Sequence, residues 1–187
     1  AKIDRKKAKT INLGLFYGMG KGKLSSELGL SPGEAEDLFE KYHKRVPFVK
    51  EMIERTMKKA ADIGHVRTLL GRKCRFDKWE PSRYGVHRPL PRDEAEREHG
   101  KQIRRAFTYK ALNKIIQGSA ADMTKQAMAD LHDEGIIPHI QVHDELDCSF
   151  EDEVEKDKIL EIMRNAVKLE VPVKLDVEVG PSWGKAK

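Results

Sequence analysis

The chain has 187 residues, 39% of them hydrophobic, which is enough to bury the core of one ordinary domain or two small lobes and excludes a disordered tail. Lys and Arg number 36 against 31 Asp and Glu, a formal charge of +5, so the surface is dense in both signs and favours a polyanionic partner without establishing one. Cys74 and Cys148 are the only two cysteines and lie far apart with no C-x-x-C, which excludes a disulfide scaffold or a Cys-rich zinc site, and no apolar run approaches the roughly 20 residues that span a bilayer.

From the N-terminus, Ala8, Ile11, Leu15 and Phe16 recur at helical spacing and predict a helix over 4–17, which Gly18, Gly20 and Gly22 break into a flexible exit. Ser31-Pro32-Gly33-Glu34 is an N-cap, a proline at the first helical position and an acid in the first turn, opening a helix to about His43. A third helix follows Pro47, from Phe48 to Ile63, and stops at Gly64. Val66 to Leu70 is β-prone ahead of a turn at Gly71, whereas 77–100 is polar, rich in Pro and Arg, and expected to be a loop or insertion. A long helix over Ile103 to Leu131 closes at Gly135. A two-strand hairpin over 136–150, a helix over 154–169 and a strand over 171–179 complete the order. The expected class is α+β: an all-helical lobe over 1–105 that contains the 77–100 insertion, then a lobe over 106–187 with a small antiparallel sheet. That sheet has too few strands to stand comfortably alone.

Three constellations carry chemistry. Arg5, Lys9, Leu13 and Tyr17 recur every four residues and form one slowly drifting stripe on the first helix. Cations near the positive helix N-terminus are poor for stability and good for holding an anion such as a triphosphate, with Leu13 and Tyr17 left to meet a sugar and a base; a solvated basic face is the plainer alternative. Gly18 to Lys23 resembles a phosphate loop only superficially, because Leu24 follows Gly22-Lys23 and a helix precedes it. In Gln141-Val142-His143-Asp144-Glu145-Leu146, two adjacent carboxylates sit where one strand turns into the next, an arrangement suited to Mg²⁺ or to an ordinary polar turn. Asn113 and Gln117 stand one turn apart on a helix rich in small residues, placed either for packing or for reading a nucleic-acid groove.

Taken together these segments resemble the family A DNA polymerases, the group of bacterial DNA polymerase I and related phage enzymes. Arg5-x-x-x-Lys9-Thr10-Ile11-Asn12-x-Gly14-x-x-Tyr17-Gly18-Met19 is similar to the family's nucleotide-binding motif B on the fingers. Gly64-His65-Val66-x-Thr68-x-x-Gly71-Arg72 is similar to a further fingers segment, and Leu112-Asn113 to Asp122 to the helix before the palm hairpin. Val142-His143-Asp144-Glu145 resembles motif C, and Val171-Pro172-Val173 through Trp183 the family's C-terminus. The resemblance implies a helical fingers subdomain over 1–105 and the C-terminal part of the palm over 106–187, within an incomplete right-hand polymerase fold. It implies template-directed DNA synthesis in which a primer 3′-hydroxyl attacks the α-phosphate of a dNTP with two Mg²⁺ ions. By motif, Arg5, Lys9, Leu13 and Tyr17 would bind the dNTP, with Lys9 also a proton donor to the leaving pyrophosphate. Asp144 and Glu145 would serve the metal, and Arg72, Asn113, Gln117 and His143 would touch primer-template DNA.

The pattern departs from the family at Leu13, where an aromatic is usual, and at Tyr109, where many members have Arg. The 77–100 insertion, with Arg83, Arg88, Arg92 and Arg97, suggests a phage-type member and would bind DNA or a partner or remain solvated. The family's other catalytic carboxylate, in an Asp-Tyr-Ser-like strand, does not occur here. The chain is therefore expected to be inactive alone and to work with an N-terminal part carrying the thumb and that strand, in cis or as a separate chain, in the cytoplasm of a bacterium or phage-infected host. The alternative is a non-catalytic nucleic-acid-binding or assembly module that keeps polymerase motifs.

Overall fold

A computed structural model of the chain describes residues 4–83 and 85–186. Four helices open it: α1 (Arg5–Phe16), α2 (Lys21–Leu28), α3 (Pro32–Arg45) and α4 (Pro47–Ile63). The chain breaks at Gly18, whose φ is +81°, and at Gly20 as the sequence predicts, but Gly22 lies within α2 instead of extending the exit. Gly22 costs about 1 kcal/mol in a helix, but complete burial of Leu24 contributes roughly 1.5–3 kcal/mol and outweighs it. Gly29, at φ +64°, closes the helix in the left-handed region. The start of α3 is as the sequence predicts: the Glu34 N–H donates to Ser31 Oγ at 3.3 Å, and the Ser31 N–H donates back to Glu34 Oε2 at 2.9 Å. Lys21 pairs with Glu36 and ties α2 to α3.

Packing divides the chain into Ala1–Ile116 and Gln117–Lys187, a boundary inside α6 (Ala111–Asp133). In the first unit, α4 stops at Gly64, whose φ is +74°. The Arg105 guanidinium occupies the space where a Cβ would stand, within 2.7 Å, and donates to the carbonyls of Ala61 and Phe76 at 3.1 and 3.0 Å. Beyond it, β1 (His65–Arg67) and β2 (Lys73–Arg75) form an antiparallel hairpin with Val66 opposite Cys74. Ala60, Val66, Phe76 and Ala111 make the core there, with Cys74 and Ile115 packed on it.

The 77–100 segment is more ordered than the expected loop. Trp79–Pro81 (β3) pairs with Ile103–Arg105 (β4), and α5 (Arg92–His99) packs against both strands. The guanidinium groups of Arg92 and Arg105 each lie over the Trp79 ring, at 5.2 and 4.6 Å from its centre. This pairing also corrects the long helix, which starts at Ala111 and not at Ile103, because residues 103–105 are drawn into the sheet and Ala106 is buried behind them.

In the second unit, α6 leads to β5 (Ile140–Val142), β6 (Glu145–Asp147) and α7 (Glu153–Asn165), which Asp152 caps by accepting from the Glu155 N–H at 2.9 Å. Leu131, Ile136 and Ile159 form its core, flanked by Leu146, Cys148, Phe150 and Met163. Both cysteines are unbridged, and burial, with help from Asp147, pushes the Cys148 thiol up from its ordinary value. The strand expected over 171–179 is not formed. Its alternation is present in the sequence, but no strand pairs with it among the described residues, and Val171, Val177 and Val179 stay exposed. Helices with small antiparallel sheets are the α+β class expected from the sequence. Among the described residues no helix is long and apolar enough to cross a membrane.

Candidate active site

The stripe on α1 emerges as helical periodicity requires. At 100° per residue, Arg5, Lys9, Leu13 and Tyr17 sweep a narrow arc, and Leu15, fully buried, lies on the opposite side. Arg5 and Lys9 are exposed, Leu13 is 44% exposed, and Tyr17 is half-buried as the residue that ends the helix. Tyr17 is fixed from two directions: its N–H donates to the Leu13 carbonyl at 3.0 Å, and its ring meets Phe16 edge-on at 6.0 Å. No acid stands in the first turn of α1. The helix therefore presents two cations at its positive end and, two turns on, an apolar side chain and a phenol on the same face.

Arg72 follows a tight turn in the same unit. The Gly71 N–H donates to the Thr68 carbonyl at 3.0 Å, Gly71 takes φ +86°, and the Arg72 N–H donates to Thr68 Oγ1 at 3.0 Å. Thr68 is buried, so the turn is held from beneath while Arg67, Arg72, Lys73 and Arg75 line the exposed hairpin. Asn113 is half-buried on α6 beside buried Ala111 and Leu112, and Gln117, one turn on, is exposed. The arginines of the 77–100 segment are partly committed: Arg92 bonds Glu96 at 2.8 Å, and Arg97 pairs with Asp93 at 3.5 Å.

The second unit carries the carboxylates. Val142 pairs with Glu145, leaving His143 and Asp144 as a two-residue turn. His143 takes φ +55°, a conformation that two-residue hairpins favour and that costs a residue with a Cβ about 1–2 kcal/mol. Its carbonyl accepts from Gln141 Nε2 at 2.6 Å. Asp144 and Glu145 are both exposed at this tip and line a cavity of about 480 Å³ with β6, α7 and residues 174–179. Among the described residues, no group of three or more His, Cys, Asp or Glu could hold a metal by itself.

Two contacts of the two units have no signal in the local sequence. Arg105 fills the space behind Gly64 across 41 positions, and Trp183 Nε1 donates to Glu145 Oε1 at 3.0 Å across 38. Sequence spacing reaches one or two helical turns, and neither pairing lies within that range.

Residues 1–185 match the family model described as DNA polymerase family A. The DNA-directed DNA polymerase of Pseudomonas phage M6 is 34% identical over 98% of this chain and 30% of its own length. The thermostable DNA polymerase I of Thermus filiformis is 39% identical over 98% of this chain and 21% of its own. Among solved structures, the POL domain of Pol1 from M. smegmatis, in complex with DNA primer-template and dNTP, superposes with a TM-score of 0.73 at 31% identity, covering 96% of this chain and 30% of that one. The chain thus spans less than a third of the length of these relatives, and its helices and small antiparallel sheets correspond to part of a polymerase domain. The match along nearly the whole chain, in sequence and in fold, places this protein in DNA polymerase family A.

Proposed function

We propose that the chain supplies the fingers, over 1–105, and the C-terminal part of the palm, over 106–187, of a polymerase that copies a DNA template from dNTPs. The observation that carries this reading is the pair Asp144 and Glu145, exposed at a hairpin tip in a chain whose residues 1–185 match a polymerase family. In the reaction, the primer 3′-hydroxyl loses its proton to water as its oxygen bonds the α-phosphorus, and the bond from that phosphorus to the pyrophosphate oxygen breaks.

Each residue has a role that its position supports. Arg5 and Lys9, exposed at the positive end of α1, hold the triphosphate, and the Lys9 ammonium hands a proton to the leaving pyrophosphate. Leu13 lies against the incoming sugar and Tyr17 against the template base. Asn113 and Gln117 touch the minor groove, Arg72 a phosphate, and His143 the primer end. The donor chemistry at the hairpin fits Mg²⁺: the hard oxygens of two carboxylates, for an ion that takes few protein ligands and completes its shell with water and phosphate. Asp144, together with a carboxylate supplied by the rest of the polymerase, would hold the two Mg²⁺ ions, which would supply stabilisation of charge on the attacking and leaving oxygens. Glu145 orders the region around Asp144.

The test is primer extension with Mg²⁺ by the pure chain, alone and with a polypeptide carrying the thumb and the remaining palm strands. Extension is expected only from the pair, with primer-template affinity that falls steeply with salt and shows little sequence preference. Robust extension by the chain alone would contradict the division of labour. Salt-independent or strongly site-specific binding without extension would favour the non-catalytic module.

A further inference from the structure

A polar bond joins the C-terminal turn to the carboxylate hairpin. Trp183 is 54% exposed, so burial does not hold its indole in place, yet its Nε1–H donates to Glu145 Oε1 at 3.0 Å. The turn that carries it is built by backbone: the Lys185 N–H donates to the Ser182 carbonyl at 2.9 Å, closing Trp183–Lys185 into a 3₁₀ turn. Gly180 is what lets the chain fold back there. A Cβ at that position would stand 2.6 Å from the Lys185 carbonyl oxygen and 2.7 Å from the Ala186 nitrogen, which are backbone atoms that cannot swing aside. Trp183 and Ala186 then line the same cavity as Asp144 and Glu145.

We propose that Trp183 is a positioning residue for Glu145. Its neutral N–H, delivered by the Gly180 turn, takes one carboxylate oxygen and fixes the side chain's rotamer, leaving the other oxygen and the whole of Asp144 for Mg²⁺. A neutral donor suits this task. A Lys or Arg would neutralise Glu145 and weaken the field that draws in the cation, whereas an indole orients the carboxylate and leaves its charge in place. This inference rests on the polymerase reading for its metal, and the contact itself can be examined without any activity.

Trp79 and Trp183 are the chain's two tryptophans. The indole N–H signal lost from the nitrogen–proton correlation spectrum in Trp183→Phe is therefore that of Trp183. In the 187-residue chain this signal is expected to move in Glu145→Ala and in Gly180→Ala, to stay in Asp144→Asn, and to respond to added Mg²⁺ alone. A signal indifferent to Glu145→Ala, or to Mg²⁺, would overturn the proposal whatever the fate of the polymerase reading. In the reconstituted polymerase, Trp183→Phe and Gly180→Ala should each raise the Mg²⁺ concentration for half-maximal rate about tenfold, at the low end of what such supporting contacts contribute, with the KM for dNTP little changed. An equal loss at all Mg²⁺ concentrations would mean a merely structural turn and would also overturn it. Failure of the unsubstituted pair to extend a primer would instead remove the polymerase reading, with the spectra still deciding whether Trp183 holds Glu145.

Discussion

The two units each contain a hairpin of two three-residue strands, and the hairpins have opposite fates. In β1–β2, Val66 is completely buried and seals a core with Ala60, Phe76 and Ala111. In β5–β6, every residue of β5 is exposed, and Ile140 and Val142 face outward where a buried sheet would want them covered. The strand-like stretch over 171–179 repeats the contrast, with apolar residues alternating along a segment that pairs with nothing among the described residues. The first hairpin is a structural element that presents cations from a finished scaffold. The second packs on its core only through Leu146 of β6 and leaves β5 and the carboxylates of its tip exposed.

The contrast can be broken most directly in the packing. Phe76→Ala should cost about 3–5 kcal/mol, whereas Val142→Ser should stay within about 0.5 kcal/mol; urea unfolding of the two variants measures both. Equal losses would mean that β5 is as well packed as β1. The exposed face of α1 should be functional without being structural, so Lys9→Ala should leave unfolding unchanged and lower kcat/KM for dNTP about a hundredfold in the reconstituted enzyme. A stability loss with normal kinetics would make the stripe ordinary surface. Leu13→Tyr sharpens the assignment of the sugar contact. Leu offers no donor to replace a missing 3′-hydroxyl, so the natural enzyme should reject dideoxynucleotides roughly tenfold to a hundredfold, and the Tyr hydroxyl should relax that ratio; competition kinetics in both variants would show an unchanged ratio if Leu13 does not face the sugar.

The smallest effect concerns His43, packed 4.4 Å from Phe39 with its Nδ1 buried and without a hydrogen-bond partner among the described residues. Burial lowers its pKa, Lys50 lowers it further, and Glu54 partly opposes them. The unfolded chain therefore binds this proton more readily than the folded one. The contribution to stability is complete above the ordinary imidazole value of about 6.5 and is lost as pH falls through it toward the depressed folded value. Thermal melts from pH 8 to 5 should show this decline, flattened in His43→Phe.

Local signals predicted what they physically control. The Ser31 cap, the Gly64 stop and the α1 stripe depend on side chains a few residues apart, and each stands where spacing and backbone rules put it. The hairpin carrying Asp144 was equally legible, because a polar tip between apolar runs is a local pattern. What failed was non-local. Residues 103–105 have helix-compatible neighbours but are claimed by β3, and α2 forms through Gly22 because Leu24 finds a buried place. The strand over 171–179 failed in the reverse sense, since alternation predicts a strand only where an edge exists to receive it. Trp183 was visible as part of a C-terminal resemblance, but its partner Glu145 lies 38 residues away and no spacing rule links them.

The central claim is that Asp144 acts in phosphoryl transfer and not in holding the hairpin. Single-turnover incorporation of one dNTP by the reconstituted polymerase, with Asp144→Asn against the natural residue, tests it most directly. The account predicts a rate loss of about a thousandfold or more with primer-template affinity nearly intact, because the carboxylate contributes in the transition state through bound metal. Near-normal incorporation by Asp144→Asn would contradict it.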